Sequence, residues 1–284
     1  MQKKVVENSS FNRLFVASKP MFISSNFYLN KLKFKYKNKK AGFSGTLDPF
    51  AKGCLIVAFG QYAKLFKYLS KTPKVYKAVI WLGVKSQSFD IERVENISFE
   101  TKIDEDFLKE QIDSLKGEIN YTPPKFSAKR VNGLKAYELA REGLEFDMKS
   151  VTMEIFDIKL LKYNHPFITI EATVSEGSYI RSLAQILLQK LNKVGTLSYL
   201  ERLKEGDFVY ENEKELNPID YINLPKIGYF GSKEWLEIGK KLSINYLEHS
   251  IDGRYIIESD DFFSIIEIYE KKVKYLLNKI PKLG

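Results

Sequence analysis

The sequence predicts an α+β fold with a large N-terminal domain and a small β-rich C-terminal appendage. Strand patterns and amphipathic helix patterns are mixed without a β-α-β rhythm, which argues against a doubly wound parallel sheet. The chain has 284 residues, enough to bury a substantial core. Residues 217–231 hold two prolines and two glycines, which are typical of a domain boundary. We therefore expect domains of residues 1–224 and 225–284.

The first predicted elements flank a glycine-rich loop. Residues 13–20, RLFVASKP, predict an apolar strand that ends at a Lys-Pro pair. Residues 24–26 are two serines and an asparagine, good N-cap residues, so a helix begins there and runs into a lysine-rich stretch. Residues 53–60, GCLIVAFG, predict a buried strand or a short helix, because their length and apolar content fit both.

The middle of the chain alternates strands and helices. Residues 76–84 alternate and are rich in β-formers, which predicts a strand. Residues 104–118 have helical apolar spacing with a glycine near the end, and residues 121–143 predict a Pro-Pro loop followed by a helix that Gly143 ends. The later elements are two strands and the clearest amphipathic helix, at 151–164, 167–175 and 178–191.

The C-terminal segment carries one turn signal. Asp252 and Gly253 lie between two alternating runs, and Asp-Gly is a strong signal for a two-residue hairpin turn. We therefore expect two strands joined at this point.

The charge of the chain favours an anionic partner. The formal net charge is +9, and residues 31–40, KLKFKYKNKK, carry six lysines interleaved with Leu, Phe and Tyr. Such a run suits the capture of a polyanion, although most charge runs are only solvated helix ends. Because this run leads directly into the glycine-rich loop, nucleic acid is the leading candidate partner.

Several functional classes are disfavoured by composition. The single cysteine, Cys54, cannot form an internal disulfide, and His165 and His249 are too far apart in sequence for a metal motif. The N-terminus has no apolar region of a secretory signal, and no apolar run is long enough to cross a bilayer. We expect a cytoplasmic protein without a metal ion and without membrane attachment.

One carboxylate stands out in the stretch AGFSGTLDPFAKGCLIVAFG, residues 41–60. Asp48 lies between Leu47 and Pro49 just ahead of an apolar run, although an ionised carboxylate is costly to remove from water. Asp-Pro beside glycines is also ordinary turn chemistry, so a structural turn is the alternative interpretation.

Ordered segments of the chain resemble one enzyme family. GFSGTLDPFAKGCL (42–55) is similar to the catalytic loop of the TruB-type tRNA pseudouridine synthases, written G-H-x-G-T-L-D-P-x-A-x-G-x-L. Further similar segments follow the family's order: SKP (18–20), KVYKAVIWLGVKSQSFD (74–90), PPKFSAKRVNGLKAYELAREG (123–143), EGSYIRSLAQIL (176–187) and GTLSYLERLKEGDF (195–208).

The resemblance implies both a fold and a reaction. The fold is the pseudouridine synthase fold, a mixed, mainly antiparallel sheet with flanking helices and loops. The reaction isomerises uridine 55 in the T loop of tRNA after the base is flipped out, without cofactor or metal. The resemblance further implies a monomer that works on the T stem-loop without an obligate protein partner.

The resemblance assigns roles around Asp48. Asp48 aligns with the family's essential aspartate, whether it attacks the base, attacks the ribose or removes a 2′ proton. Arg181 would keep this carboxylate charged in an apolar pocket. Tyr76 would stack on the uracil, and Tyr179 would reach the base edge and is a candidate for removing the proton of carbon 5.

Three further residues are expected at the substrate. Leu200 matches a residue that packs against the base, and Lys19 would lie near the site or the RNA backbone. Phe43 stands where the family usually has histidine; phenylalanine keeps stacking but loses hydrogen bonds, so we expect it to tune RNA binding. The C-terminal segment is short against the family's usual PUA barrel, which predicts a reduced PUA-like domain.

Other functions share some of these features. A tRNA-binding folding chaperone would use the same charge and aromatic residues without turnover, but it would not need Asp48, Tyr76 and Arg181 together. An RNA-guided synthase inside a ribonucleoprotein would want longer partner-binding extensions. A glycoside hydrolase would need a second carboxylate placed near the first, which the loop does not offer.

Overall fold

The computed structural model describes residues 11–283 and consists of one large sheet with helices packed on it and a smaller C-terminal sheet. The helices are α1 (Ser25–Lys35), α2 (Glu105–Asp113), α3 (Ala136–Arg141), α4 (Ile180–Lys190) and α5 (Lys233–Glu237). The long strands are β1 (Arg13–Lys19), β3 (Lys52–Phe59), β4 (Lys74–Leu82), β10 (Val151–Asn164), β11 (Phe167–Val174) and β12 (Gly195–Glu205), and in the C-terminal sheet β15 (Gly253–Glu258), β16 (Phe262–Tyr269) and β17 (Lys272–Pro281). The short strands are β2 (Ala41–Ser44), β5 (Val84–Ser86), β6 (Val94–Ile97), β7 (Gly117–Tyr121), β8 (Arg130–Val131), β9 (Leu134–Lys135), β13 (Phe208–Val209) and β14 (Glu215–Leu216).

The large sheet has ten strands, and its order confirms the predicted α+β class. The order is β14-β1-β3-β12-β4-β11-β10-β7, with β2 beside β3 and β13 beside β12. All of these pairs are antiparallel except β3 with β12. The parallel pair brings Gly53 opposite Arg202, so the end of β12 meets the loop that precedes β3.

Several sequence predictions are confirmed by the structure. Residues 13–20 form β1 as far as Lys19, and Ser24 caps α1 by accepting a hydrogen bond from the Phe27 amide. Residues 53–60 belong to strand β3, so the helical alternative for them is wrong. The helix after the Pro-Pro loop is α3, and Gly143, at φ +72°, follows its end.

Two predicted helix boundaries are wrong. The helix expected over 104–118 ends at Asp113, because Gly117 adopts φ +102° and begins strand β7. The helix expected from 178 begins at Ile180, and its N-cap is Tyr179 without a side-chain cap. Its apolar face, including Leu183 and Leu187, is buried as predicted.

The predicted hairpin turn at Asp252-Gly253 is also wrong. Gly253 is the first residue of β15, and β15 turns into β16 beyond Glu258. The tight turn of this sheet lies at Glu270 and Lys271, both at positive φ, between β16 and β17. Positive φ at two successive residues is the geometry of a type I′ hairpin turn, although neither residue is the usual Asn or Gly.

The C-terminal sheet contributes to two clusters of buried side chains. One lies within residues 225–284 and includes Ile227, Leu236 and Ile266. The other joins the C-terminal sheet to the large sheet, since Ile265 and Ile280 pack with Leu14 and other residues there. The expected division at 224 stays a prediction. No helix among the described residues 11–283 is both long and apolar enough to cross a membrane.

Candidate active site

The Asp48 loop is held in place by its neighbours in the fold. Ser25, the first residue of α1, uses its hydroxyl to accept from the Leu47 amide at 3.0 Å and to donate to the Leu47 carbonyl at 2.9 Å. The Phe22 amide donates to the Pro49 carbonyl at 2.7 Å. The backbone on both sides of Asp48 is therefore anchored to the β1–α1 connection.

Asp48 and Arg181 form an ion pair. Arg181 Nη2 lies 2.9 Å from Asp48 Oδ2, and the arginine side chain is 2% exposed while that of Asp48 is 30% exposed. Arg181 also donates to the carbonyls of Ser88 and Phe126, both at 2.8 Å. These two carbonyls hold the buried guanidinium in one orientation, with Nη2 directed at the Asp48 carboxylate.

A second carboxylate, that of Asp90, contacts the other terminal nitrogen of Arg181. Arg181 Nη1 lies 3.3 Å from Asp90 Oδ2, and Asp90 Oδ1 accepts from the Ser88 hydroxyl at 2.6 Å and from the Glu92 amide at 2.9 Å. Burial raises the pKa of Asp90, while Ser88 and Arg181 oppose that rise. Asp90 is the last residue of the segment 74–90 that carried the resemblance, but no role was predicted for it from the sequence.

Asp48 lies between two cavities. The first, of about 360 Å³, is lined by Tyr76, Tyr179 and Leu200 together with Asp48 and Arg181. The structure thus brings together five of the residues that the sequence analysis placed at the site. Burial raises the pKa of the Tyr179 phenol above its ordinary value, and the neutral hydroxyl can both donate and accept a hydrogen bond.

The second cavity, of about 680 Å³, extends from Asp48 and Arg181 towards the Pro-Pro loop and α3. Phe43 lines it from strand β2 and is partly buried against the cluster of Phe15 and its neighbours. Arg181 Nε and Ser127 Oγ are buried here without a hydrogen-bond partner among the described residues.

Lys19 lies beneath the loop and has no exposed surface. Its ammonium donates to the carbonyls of Pro20, Ile23 and Pro49 at 2.9, 2.8 and 3.2 Å. Burial lowers the pKa of Lys19 to about 8, although Asp48 acts to raise it. The expected contact of Lys19 with substrate does not fit this geometry, because the ammonium is enclosed by carbonyls of the β1–α1 connection and of Pro49.

The lysine run 31–40 does not act as a single block of free charge. Lys35 forms an ion pair with Glu213, whose carboxylate also accepts from the Tyr36 hydroxyl. Lys37 and Lys39 are exposed, and neither has a carboxylate partner within the described part of the chain. Within that same part, no cluster of His, Cys, Asp or Glu is arranged to hold a metal ion.

Comparison with known proteins identifies a family for this chain. Residues 33–180 match the model of the TruB family pseudouridylate synthase N-terminal domain. The tRNA pseudouridine synthase B of Sulfurovum sp. (strain NBC37-1) is 56% identical over 271 residues, covering 95% of this chain and 98% of that protein. The protein of the same name from Campylobacter jejuni is also 56% identical, covering 95% of this chain and 99% of that protein.

A solved structure supports the fold. A chain in the crystal structure of a Cbf5-Nop10-Gar1 complex superposes with a TM-score of 0.66 at 17% identity, covering 95% of this chain and 84% of that chain. At this identity the similarity concerns the fold alone. The near full-length identity to the bacterial relatives and the family match across more than half of the chain together show that this protein belongs to the TruB family of pseudouridylate synthases.

Proposed function

We propose that this protein isomerises uridine 55 in the T loop of tRNA to pseudouridine, with Asp48 as its essential carboxylate. The observation that carries the proposal is the ion pair of Asp48 with the buried Arg181, at the junction of two cavities. Relatives more than half identical over 95% of the chain are named tRNA pseudouridine synthases, which supports tRNA as the substrate.

The reaction moves one bond within a nucleotide. The bond from ribose carbon 1′ to uracil N1 breaks, the uracil turns, and a bond forms from carbon 1′ to carbon 5. Carbon 5 loses its proton and N1 gains one, so no atoms and no electrons are exchanged overall. An isomerisation of this kind needs no redox cofactor, in keeping with the expectation that none is used.

The cavity residues fit the steps of this reaction. The 360 Å³ cavity has to receive a base that has left the helical stack, and Tyr76 offers an aromatic surface for it. Leu200, 5% exposed, would pack against the base, and Tyr179 would contact its polar edge. Phe43 would contact the neighbouring nucleotides from the larger cavity.

Arg181 pairs with the Asp48 carboxylate and fixes its position, whichever atom that carboxylate attacks. Lys19 would act through the loop backbone and not on the RNA. We further propose that the protein acts as a cytoplasmic monomer and that residues 225–284 form a reduced PUA-like unit that extends the RNA-binding surface.

The test is the Asp48→Asn variant with one unmodified tRNA. Asparagine keeps the shape but removes the charge, so we expect unchanged folding and tRNA binding and a loss of turnover by roughly 10³-fold or more. Pseudouridine is mapped by position, and a tRNA with cytidine at position 55 is the control. Appreciable pseudouridine from the variant, or pseudouridine elsewhere in the wild-type product, would refute the proposal. A chaperone without turnover would improve tRNA folding equally well with either protein.

A further inference from the structure

A buried cluster of three ionisable side chains lies against Gly45, at the start of the Asp48 loop. Arg202 and Glu205 are 1% and 0% exposed, and Lys74 is 6% exposed. Glu205 lies between the two cations, with Oε2 3.2 Å from Arg202 Nη2 and Oε1 3.0 Å from Lys74 Nζ. Burying ions costs several kcal/mol each before pairing, and apolar side chains of similar size often stabilise a fold equally well. Stability alone therefore gives little reason for this cluster.

The cluster holds the start of the Asp48 loop. Arg202 donates from Nη2 to the Gly45 carbonyl at 2.6 Å and from Nε to the Cys54 carbonyl at 2.9 Å. Gly45 has φ +67°, and a Cβ atom there would lie 2.7 Å from Glu205 Oε1. The Arg202 guanidinium thus links Gly45, three residues before Asp48, to strand β3. Gly45 also packs directly against the Glu205 carboxylate.

The same cluster lies next to Tyr76 in the lining of the smaller cavity. Lys74 and Tyr76 are two residues apart on β4, so their side chains lie on the same face of the sheet. Arg202 lies directly opposite Tyr76 in the pairing of β12 with β4, so their side chains are neighbours on the same face of the sheet. Arg202, Lys74 and Tyr76 all line the 360 Å³ cavity.

We propose that Arg202 and Glu205 are positioning residues for the isomerisation, fixing the Asp48 loop relative to the Tyr76 ring. Arg181 pairs with the carboxylate itself, whereas Arg202 binds the backbone three residues earlier and lies across the strand pair from Tyr76. A base stacked on Tyr76 then presents its glycosidic bond to Asp48 at a constant distance. This inference rests on the proposed catalytic role of Asp48.

The test uses the full chain with Arg202→Lys and Glu205→Gln. A lysine keeps the charge but cannot reach both carbonyls, and glutamine keeps the shape but leaves Lys74 without its counter-ion. We expect the single-turnover rate at saturating tRNA to fall by about 10- to 100-fold, the scale of a small misplacement of reacting groups. The dissociation constant for tRNA should stay close to the wild-type value, because neither side chain is exposed to the phosphate backbone.

A second readout separates positioning from simple structural support. Tyr76→Phe keeps the ring but removes the hydroxyl, and its effect on the single-turnover rate should largely vanish in the Arg202→Lys background, since the two groups act as one unit. Glu100→Gln is the control: it breaks the partly buried Lys193–Glu100 ion pair, which lies outside both cavities, and should leave the rate unchanged.

The outcomes are distinct. Folded variants with wild-type single-turnover rates, or fully additive effects of Tyr76→Phe and Arg202→Lys, would overturn the inference. Loss of the folded state in both Arg202→Lys and Glu205→Gln would also overturn it, because the cluster would then serve stability alone. A wild-type protein that forms no pseudouridine at position 55 would instead refute the proposed function.

Discussion

The lysine run 31–40, which precedes the Asp48 loop, allows a quantitative prediction of how tRNA affinity depends on salt. Lys37→Gln combined with Lys39→Gln removes two exposed charges that have no carboxylate partner in the described structure. Each lysine that neutralises a phosphate contributes about 0.7 to 0.9 to the slope of log affinity against log salt. The double variant should therefore flatten that slope by about 1.5. For each lysine removed, the loss of tRNA affinity between 50 and 200 mM salt should become about threefold smaller.

Lys35→Gln is the matched control. Its charge is already directed at Glu213, so its removal should change the slope little, although it belongs to the same run. The assay is tRNA affinity measured at several salt concentrations for the wild type and both variants, with the single-turnover rate at saturating tRNA measured alongside. Equal slopes for the wild type and the double variant, or an equal loss from Lys35→Gln, would show that the structure does not identify the RNA-contacting lysines.

Two further predictions concern buried cations beside Asp48. Arg181→Lys keeps a charge, but one ammonium cannot replace a guanidinium bound to Asp48, Asp90 and two carbonyls, so kcat should fall by about 10²-fold while tRNA affinity is retained. Both kcat and the single-turnover rate at saturating tRNA are measured. Rates near wild type would show that Arg181 does not position the Asp48 carboxylate. Lys19 has its folded pKa lowered to about 8 from 10.5, so between these values the unfolded chain binds more protons and stability gains with rising pH. The free energy of unfolding in urea, measured for wild type and Lys19→Met, should therefore shift in favour of the wild type by roughly 2 kcal/mol between pH 7.5 and 10. A difference that stays constant with pH would contradict the lowered pKa.

Local signals in the sequence predicted most elements around the site. Serine at position 24 and the apolar spacing from Ile180 depend on side chains within one or two helical turns, and both α1 and α4 formed as expected. Local signals were less reliable where tertiary contacts compete with them. Gly117 begins a strand because it pairs with Ile155 of β10, and Gly253 pairs with Ile268 of β16 instead of forming a turn.

The motif spacing and the resemblance predicted the residues that line the smaller cavity. Asp48, Tyr76, Tyr179, Arg181 and Leu200 were all named from the sequence, and the structure brings them to one cavity. The role of Lys19 could not be read in the same way. A lysine at the end of a strand is equally expected at the surface, and only the packing of three carbonyls around its ammonium shows that it is buried.

The supporting contacts were decided by the tertiary structure. Arg181 meets Asp90 across 91 positions of sequence, and Arg202 meets Gly45 across 157. Such contacts depend on the register of β12 against β3 and β4 and on where α4 packs, which no local pattern encodes. The sequence by itself thus indicated the residues that we propose carry the chemistry. The fold decided which buried charges hold them, because a desolvated ion is stable only where distant strands supply its partners.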